Sequence, residues 1–128
     1  MGHPVVHFEI IGTNPAELRA YYHHLFGWDY NDNAPVAADV SQQDSYSFIE
    51  RLTTADGTGI PGGIGGGANF PAHAVFYVGV PDVEAALREA ESLGGTRVMG
   101  PAQNRAGGVV VGHFTDPEGN LIGVAGPA

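Results

Sequence analysis

The strongest constraint on the fold is that one order of elements occurs twice along the 128-residue sequence. In the first half, the β-branched segment 5–11 predicts a strand. Asn14 and Pro15 predict the start of a helix, and Gly27 predicts its end. Three further strands are predicted after it, at 28–30, 45–54 and 60–64. The first half is therefore predicted to be β-α-β-β-β.

The second half repeats this order at an offset of 67 residues, which aligns Gly27 with Gly94. A strand at 73–80 is followed by a helix that begins after Asp82 and by strands at 96–100, 109–115 and 121–125. Because internal repeats decide an architecture, we predict an α+β fold of two β-α-β-β-β modules, at about 4–66 and 72–126. Both belong to a single domain spanning 1–128. An ordinary α+β domain with two units that are similar by chance is the alternative.

Composition limits the class of partner. The formal net charge is −9 with only five Lys and Arg residues, and nucleic acid or an anionic membrane would repel such a surface. No apolar stretch approaches the roughly 20 residues that span a bilayer, and the N-terminal residues lack the features of a secretory signal. The absence of cysteine excludes disulfides, thiolate metal sites and cysteine nucleophiles. We expect a cytoplasmic protein with no nucleic-acid or membrane partner.

Four motifs occur in a recognisable order: His7 fourteen residues before the Tyr21-Tyr22 pair, YHHLFGW at 22–28, the helix start DVEAA at 82–86, and DPEGN at 116–120. Their order and spacing resemble the vicinal oxygen chelate superfamily of glyoxalases, bleomycin-resistance proteins and ring-cleaving dioxygenases. The resemblance covers nearly the whole chain except 31–43. It implies a cupped, eight-stranded mixed sheet with the helices outside, a small-molecule ligand in the cup, and a homodimer. Such a fold leaves the chemistry open.

Metal-dependent members of this superfamily bind one divalent ion through four inward His, Glu or Gln side chains, one from each of four strands. His7 matches the first ligand position. The others fall within 60–64, on Val75 and on Gly123, none of which supplies a donor. The resemblance therefore implies an incomplete metal site, and we expect neither a metal ligand set nor a cofactor. A divalent-metal site with unusual ligands is the alternative.

Strand alternation predicts which side chains face the cup. His7 and Glu9 share one face of the first strand, and His73 and Tyr77 share the corresponding face of the strand at 73–80. If these strands are neighbours, as in the resembled family, the four side chains converge on a ligand. Two further ligand-binding candidates are Glu50, on a strand whose facing is open, and His113.

These residues lead to two hypotheses for function. The first is a protein that binds a small molecule in the cup without metal. The second is a glyoxalase-like lyase or isomerase, or a dioxygenase, acting on a small carbonyl or aromatic substrate. Its catalytic residues are His7 and Glu9 without metal, or an irregular metal triad that adds His73. A carboxylate beside an imidazole is expected to raise the histidine pKa and to orient the ring for proton abstraction. The polar inward face argues against a third possibility, a purely structural dimerising domain.

Overall fold

The fold is known from a computed structural model, which describes residues 2–32, 34–104 and 108–128. The described residues form two helices and one open, cupped, mixed sheet of seven strands, in the order β2-β3-β1-β4-β7-β6-β5. The α+β class is therefore confirmed. The elements in chain order are β1 Val5–Gly12, α1 Pro15–Phe26, β2 Ser47–Ile49, β3 Gly62–Gly66, β4 His73–Gly79, α2 Val83–Ser92, β5 Thr96–Gln103, β6 Val109–Thr115 and β7 Leu121–Pro127.

The strands β1 and β4 lie side by side and antiparallel at the centre of the sheet. In their register His7 is opposite Tyr77, and Glu9 is opposite Val75. Each of the two strands also has a parallel neighbour, β3 for β1 and β7 for β4. Because side chains opposite one another share a face of the sheet, this register brings the polar residues of β1 next to Tyr77.

The eighth strand expected at 28–30 is absent from the described structure. Asn31 forms only an isolated antiparallel bridge with Phe48. The Trp28 ring instead packs against the rings of Phe8 and Tyr22, each with its centroid 5.3 Å away. Aromatic packing thus holds the chain against the end of the first helix, and pairing with the sheet begins only at Asn31.

The helix α1 begins and ends where the sequence predicts. The Asn14 side chain accepts a hydrogen bond from the backbone N–H of Glu17 at 3.2 Å, which satisfies one of the free N–H groups of the first turn. Gly27 ends the helix in the left-handed conformation, with φ of 72°. The helix packs on β1 and β3 but contains no buried residue.

The helix α2 packs on β5, β6 and β7 and supplies a second core. Asp82 caps it by accepting from the N–H of Ala85 at 3.0 Å. Val83 and Leu87 are buried against Val124. A Cβ on Gly112 would lie 2.7 Å from Cδ1 of Leu87, so this glycine lets the helix approach the sheet closely.

The segment between α1 and β2 covers part of the cup. Val36, Ala37 and Val40 are buried there in a cluster with Ile11 and Tyr46. This apolar cover lies in the stretch that the family resemblance left out. No helix among the described residues is long and apolar enough to cross a membrane.

Candidate functional site

The concave side of the sheet holds a cavity of about 650 Å³. This volume lies within the roughly 300–1,000 Å³ of typical small-molecule sites. Most of the lining is apolar and comes from the covering segment and from the strands β6 and β7. The polar residues of the lining are His7, Glu9, Tyr46, Tyr77, Asn31, Asp32 and Asn104.

Glu9 lies at the centre of a buried hydrogen-bond network, and only 3% of it is exposed. The hydroxyl of Tyr46 donates to its Oε1 atom at 2.9 Å, and the hydroxyl of Tyr77 donates to its Oε2 atom at 2.8 Å. Both carboxylate oxygens therefore have a strong donor, which is what a buried carboxylate requires.

A histidine extends this network at each end. The Nε2 atom of His7 lies 3.0 Å from the Tyr46 hydroxyl, and the Nε2 atom of His113 lies 2.7 Å from the Tyr77 hydroxyl. When Glu9 is ionised, each tyrosine gives its one proton to the carboxylate, so each imidazole donates from Nε2 to the tyrosine oxygen. We call this chain of five side chains, His7, Tyr46, Glu9, Tyr77 and His113, the Glu9 network.

Two glycines leave room for the tyrosine rings of the network. A Cβ on Gly63 would collide with the hydroxyl end of Tyr46, and a Cβ on Gly123 would lie 2.6 Å from Cδ1 of Tyr77. Gly123 and the segment around Gly63 are positions where the resembled metal-dependent proteins carry ligands. In this protein, tyrosine rings occupy the space beside them.

Burial controls the titration of the network. It raises the pKa of Glu9 to about 7, although the hydrogen bonds from Tyr77 and Tyr46 act in the opposite direction. Burial lowers the pKa of His7 to about 4, and it lowers the pKa of His113 to about 4, with a smaller contribution from the nearby His73. Both network histidines are therefore neutral at pH 7.

The expectation that Glu9 would raise the pKa of His7 is wrong. The two side chains are joined through the Tyr46 hydroxyl, and burial of the imidazole dominates its pKa. Loss of solvent disfavours the charged imidazolium. This effect is larger than the stabilisation that the imidazolium would gain from a carboxylate on the far side of a tyrosine hydroxyl.

The structure brings together four of the side chains that the sequence predicts for the site: His7, Glu9, Tyr77 and His113. His73 lies beside them, because it is opposite Ile11 in the register of β1 and β4. Its Nδ1 atom is 3.0 Å from the Pro71 carbonyl oxygen, and its ring centroid is 6.4 Å from that of His113. A role for these residues in ligand binding stays a prediction.

Glu50 lies apart from the network. The strand β2 ends at Ile49. Glu50 is therefore outside the strand, and the alternation of side chains along β2 does not direct it toward the cup. Its carboxylate is exposed and accepts a hydrogen bond from the Asn31 side chain at 3.3 Å.

Tyr46 is the network residue that the sequence pattern did not predict for the site. Alternation placed it on one face with Phe48, without fixing which way that face pointed. Gly63 lies directly across from Phe48 in β3 and could have indicated the role of Tyr46. A glycine opposite aromatic residues indicates that a ring needs the space.

The described residues do not fit a divalent metal ion of the family type. Both oxygens of Glu9 are already hydrogen-bonded to tyrosines, and glycines stand where donors would be needed. Within the described ranges, no group of three or more His, Cys, Asp or Glu side chains is arranged to hold an ion. The absence of a tightly bound metal stays a prediction.

Several solved structures have a similar fold. One of them is a variant of Streptomyces coelicolor methylmalonyl-CoA epimerase in complex with 2-nitronate-propionyl-CoA, which has 14% sequence identity to this chain, with 98% of each chain covered and a TM-score of 0.67. The Mycobacterium tuberculosis methylmalonyl-CoA epimerase has 17% identity over 97% of this chain and 87% of its own, with a TM-score of 0.61. A hypothetical protein from Bacillus halodurans C-125 has 13% identity over 100% of this chain and 96% of its own, with a TM-score of 0.63. These identities show similarity of fold alone.

Comparison with curated proteins gave no match. The model of the Glyoxalase/Bleomycin resistance protein/Dioxygenase superfamily matches residues 5–124, which is nearly the whole chain and includes every strand of the cup at least in part. The resemblance inferred from the sequence motifs is therefore confirmed, and the chain belongs to the Glyoxalase/Bleomycin resistance protein/Dioxygenase superfamily.

Proposed function

We propose that this protein binds a small, largely apolar molecule in the cup and holds it by one hydrogen bond to His7. The observation that carries the proposal is the cavity of about 650 Å³, whose apolar walls surround a few polar side chains. Such a combination is usual in small-molecule sites, where apolar contact gives affinity and the polar groups fix orientation.

His7 is the network member best placed to contact the ligand. It is half-buried and lines the cavity, whereas Glu9 is almost fully buried and both of its oxygens accept from tyrosines. The His7 Nδ1 atom forms no hydrogen bond with any described residue, and no buried side-chain nitrogen or oxygen in the described residues lacks a partner. Nδ1 is therefore accessible. With Nε2 protonated, it accepts a hydrogen bond from a hydroxyl of the ligand.

The charge of the lining favours a neutral ligand. The described residues around the cavity include two acidic side chains, Glu9 and Asp32, and no Lys or Arg. An anionic ligand would find no counter-charge among these described residues and would add to the net charge of −9.

A second candidate function is metal-free proton transfer on a small carbonyl compound, as in a lyase or isomerase. The observation that favours it is that burial raises the pKa of Glu9 to about 7. A group whose pKa lies near the working pH is suited both to accept and to return a proton.

We retain the other expectations from the sequence as part of the same proposal. The matching parallel pairs, β1 with β3 and β4 with β7, support two modules within one domain. The exposed apolar side chains of α1, among them Tyr21, Leu25 and Phe26, support a homodimer. A cytoplasmic location and the absence of nucleic-acid and membrane partners complete the proposal.

The test begins with native mass spectrometry of the purified protein, to detect small molecules that co-purify. A thermal-shift screen of neutral, hydroxyl-bearing aromatic and aliphatic compounds follows. His7→Ala should weaken binding of the best compound at least tenfold. The matched control is His24→Ala, an exposed histidine on α1, which should leave the affinity unchanged. Equal affinity in His7→Ala and the wild type would contradict the proposal.

Phe8→Ala provides the opposite control, because Phe8 lies on the other face of β1 and packs against Trp28. It should lower the thermal midpoint and leave the affinity of the folded protein intact. The loss of stability should be smaller than the about 3–5 kcal/mol of a fully buried Phe, because Phe8 is half-buried.

A further inference from the structure

We propose that the His7 arm of the Glu9 network is a proton relay, in which His7 Nδ1 exchanges a proton with the bound molecule and Tyr46 passes it to Glu9. The inference rests on the proposed function, because the cup must hold a molecule that has a proton to give. It adds that His7 Nδ1 contacts that molecule, that Glu9 holds the proton and that Tyr46 connects the two residues.

The geometry of the arm is continuous. His7 Nε2 is 3.0 Å from the Tyr46 hydroxyl, and that hydroxyl is 2.9 Å from Glu9 Oε1. Both distances are within normal hydrogen-bond range. A tyrosine hydroxyl accepts one hydrogen bond while it donates another, so Tyr46 accepts a proton on one side as it releases its own on the other.

The proton transfer conserves atoms and charge. The lone pair of His7 Nδ1 forms a bond to the proton of the ligand, whose bonding electrons stay on the ligand as a negative charge. The Nε2–H bond of His7 breaks, and its proton goes to the Tyr46 oxygen. The Tyr46 O–H bond breaks, and its proton goes to Glu9 Oε1. His7 and Tyr46 end neutral, Glu9 becomes a neutral acid, and its negative charge has in effect moved to the ligand.

This route avoids a charged imidazole in a buried place. If His7 kept the proton without passing one on, an imidazolium would form where burial holds the pKa at about 4. The relay instead uses the affinity of Glu9 for a proton, which is greater because burial raises its pKa to about 7. The new Nδ1–H group then points at the ligand anion and donates a hydrogen bond to it.

The arm through Tyr77 and His113 does not have to change in this step, because Tyr77 continues to donate to Glu9 Oε2. The strand β3 contributes Gly63 opposite Glu9 and no titratable group. Among the described residues, the titratable groups that face Glu9 or line the same cavity are His7 from β1, Tyr46 from the chain before β2, Tyr77 from β4, His113 from β6 behind Tyr77, and Asp32.

The test is ¹⁵N NMR of the imidazole nitrogens in the ligand-free, full-length protein, titrated from pH 5 to pH 9. The relay requires His7 to stay neutral and to exchange tautomers, from Nε2–H at high pH to Nδ1–H at low pH, as Glu9 takes up its proton. In Tyr46→Phe the exchange should be lost. In Tyr77→Phe it should persist, with its midpoint at higher pH, because the carboxylate has lost one donor.

Glu9→Gln is the second variant, in case Tyr46→Phe folds poorly, and it should hold His7 in one tautomer at every pH. The proposal is overturned if His7 keeps one tautomer in the wild type, if only His113 exchanges, or if the exchange survives in Glu9→Gln. Because the titration uses ligand-free protein, its failure removes the relay alone. A failed compound screen with a normal titration would contradict the proposed function and, with it, proton exchange with a bound molecule, whereas the connection from His7 through Tyr46 to Glu9 would stand.

Discussion

The ring of Tyr77 lies over Gly123 of the neighbouring parallel strand, so closely that a Cβ on Gly123 would be 2.6 Å from Cδ1 of Tyr77. His113 is opposite the same glycine on its other side. The glycine therefore lets the Tyr77 hydroxyl reach both Glu9 and His113, and it ties the backbone of β7 to the geometry of the network.

Gly123→Ala should displace the Tyr77 ring and break its hydrogen bonds to Glu9 and His113. Overpacking of this kind typically costs about 1–3 kcal/mol of unfolding free energy, which urea denaturation measures. Gly108→Ala is the matched control, because no atom of the described residues other than its chain neighbours lies within 4 Å of a Cβ built there. Equal stabilities of the two variants would show that the Tyr77 ring moves aside without cost.

Leu87→Ala should lower the free energy of unfolding by about 2–5 kcal/mol. Leu87 is completely buried between α2 and the sheet, so its removal leaves a cavity. Leu93→Ala, just past the end of the same helix at 72% exposure, should change stability by no more than about 0.5 kcal/mol. Chemical denaturation of both variants tests the expected difference, and a small effect at Leu87 would contradict the packing of α2.

Glu9→Gln should become more stable relative to the wild type as the pH rises. The pKa of Glu9 is raised from 4.5 to about 7 in the folded protein, so between these values the folded state holds a proton that the unfolded state has released. The contribution of Glu9 to stability is then fully present below pH 4.5 and lost as the pH rises through 7. This shift corresponds to about 3 kcal/mol.

The measurement is urea denaturation of both proteins at pH 4.5, 6 and 8. The pKa values of His7 and His113 are lowered to about 4, so their contributions are present above pH 6.5 and lost as the pH falls toward 4. Both proteins keep these histidines, so their contributions largely cancel in the difference. A difference that does not change with pH would mean that folding leaves the pKa of Glu9 at its ordinary value.

Zn²⁺, Ni²⁺, Mn²⁺ and Fe²⁺ should bind weakly at most, because Val75, Gly123 and the segment around Gly63 supply no donor and the oxygens of Glu9 are engaged. Elemental analysis after dialysis against a chelator should find less than one ion per chain. Stoichiometric metal that survives dialysis, and that is lost in His7→Ala, would instead establish an unusual ligand set.

Light scattering at micromolar concentration should give the mass of a homodimer. The exposed apolar residues of α1, with Tyr21, Leu25 and Phe26 each more than half exposed, form the surface we expect to be covered. Leu25→Glu should then shift the mass toward the monomer of 13.3 kDa. A wild-type protein that already has the monomer mass would contradict the dimer.

Local sequence determined the ends of the helices and the facing of the first strand. Asn14, Gly27 and Asp82 act on backbone groups within a few residues of themselves, so their effect can be inferred without the rest of the fold. Alternation likewise placed His7 and Glu9 on one face, because successive side chains of any strand point to opposite sides.

Only the tertiary structure decided how these residues are connected. Tyr46 is 37 residues from Glu9, and Tyr77 is 68 residues from it. Which hydroxyl reaches which carboxylate oxygen depends on strand register and on the space above Gly63 and Gly123. The pKa of His7 also depends on the tertiary structure, because burial of the ring, and not the nearby Glu9 carboxylate, keeps His7 neutral. Burial is a property of the assembled cup and of the segment that covers it, so no local pattern contains it.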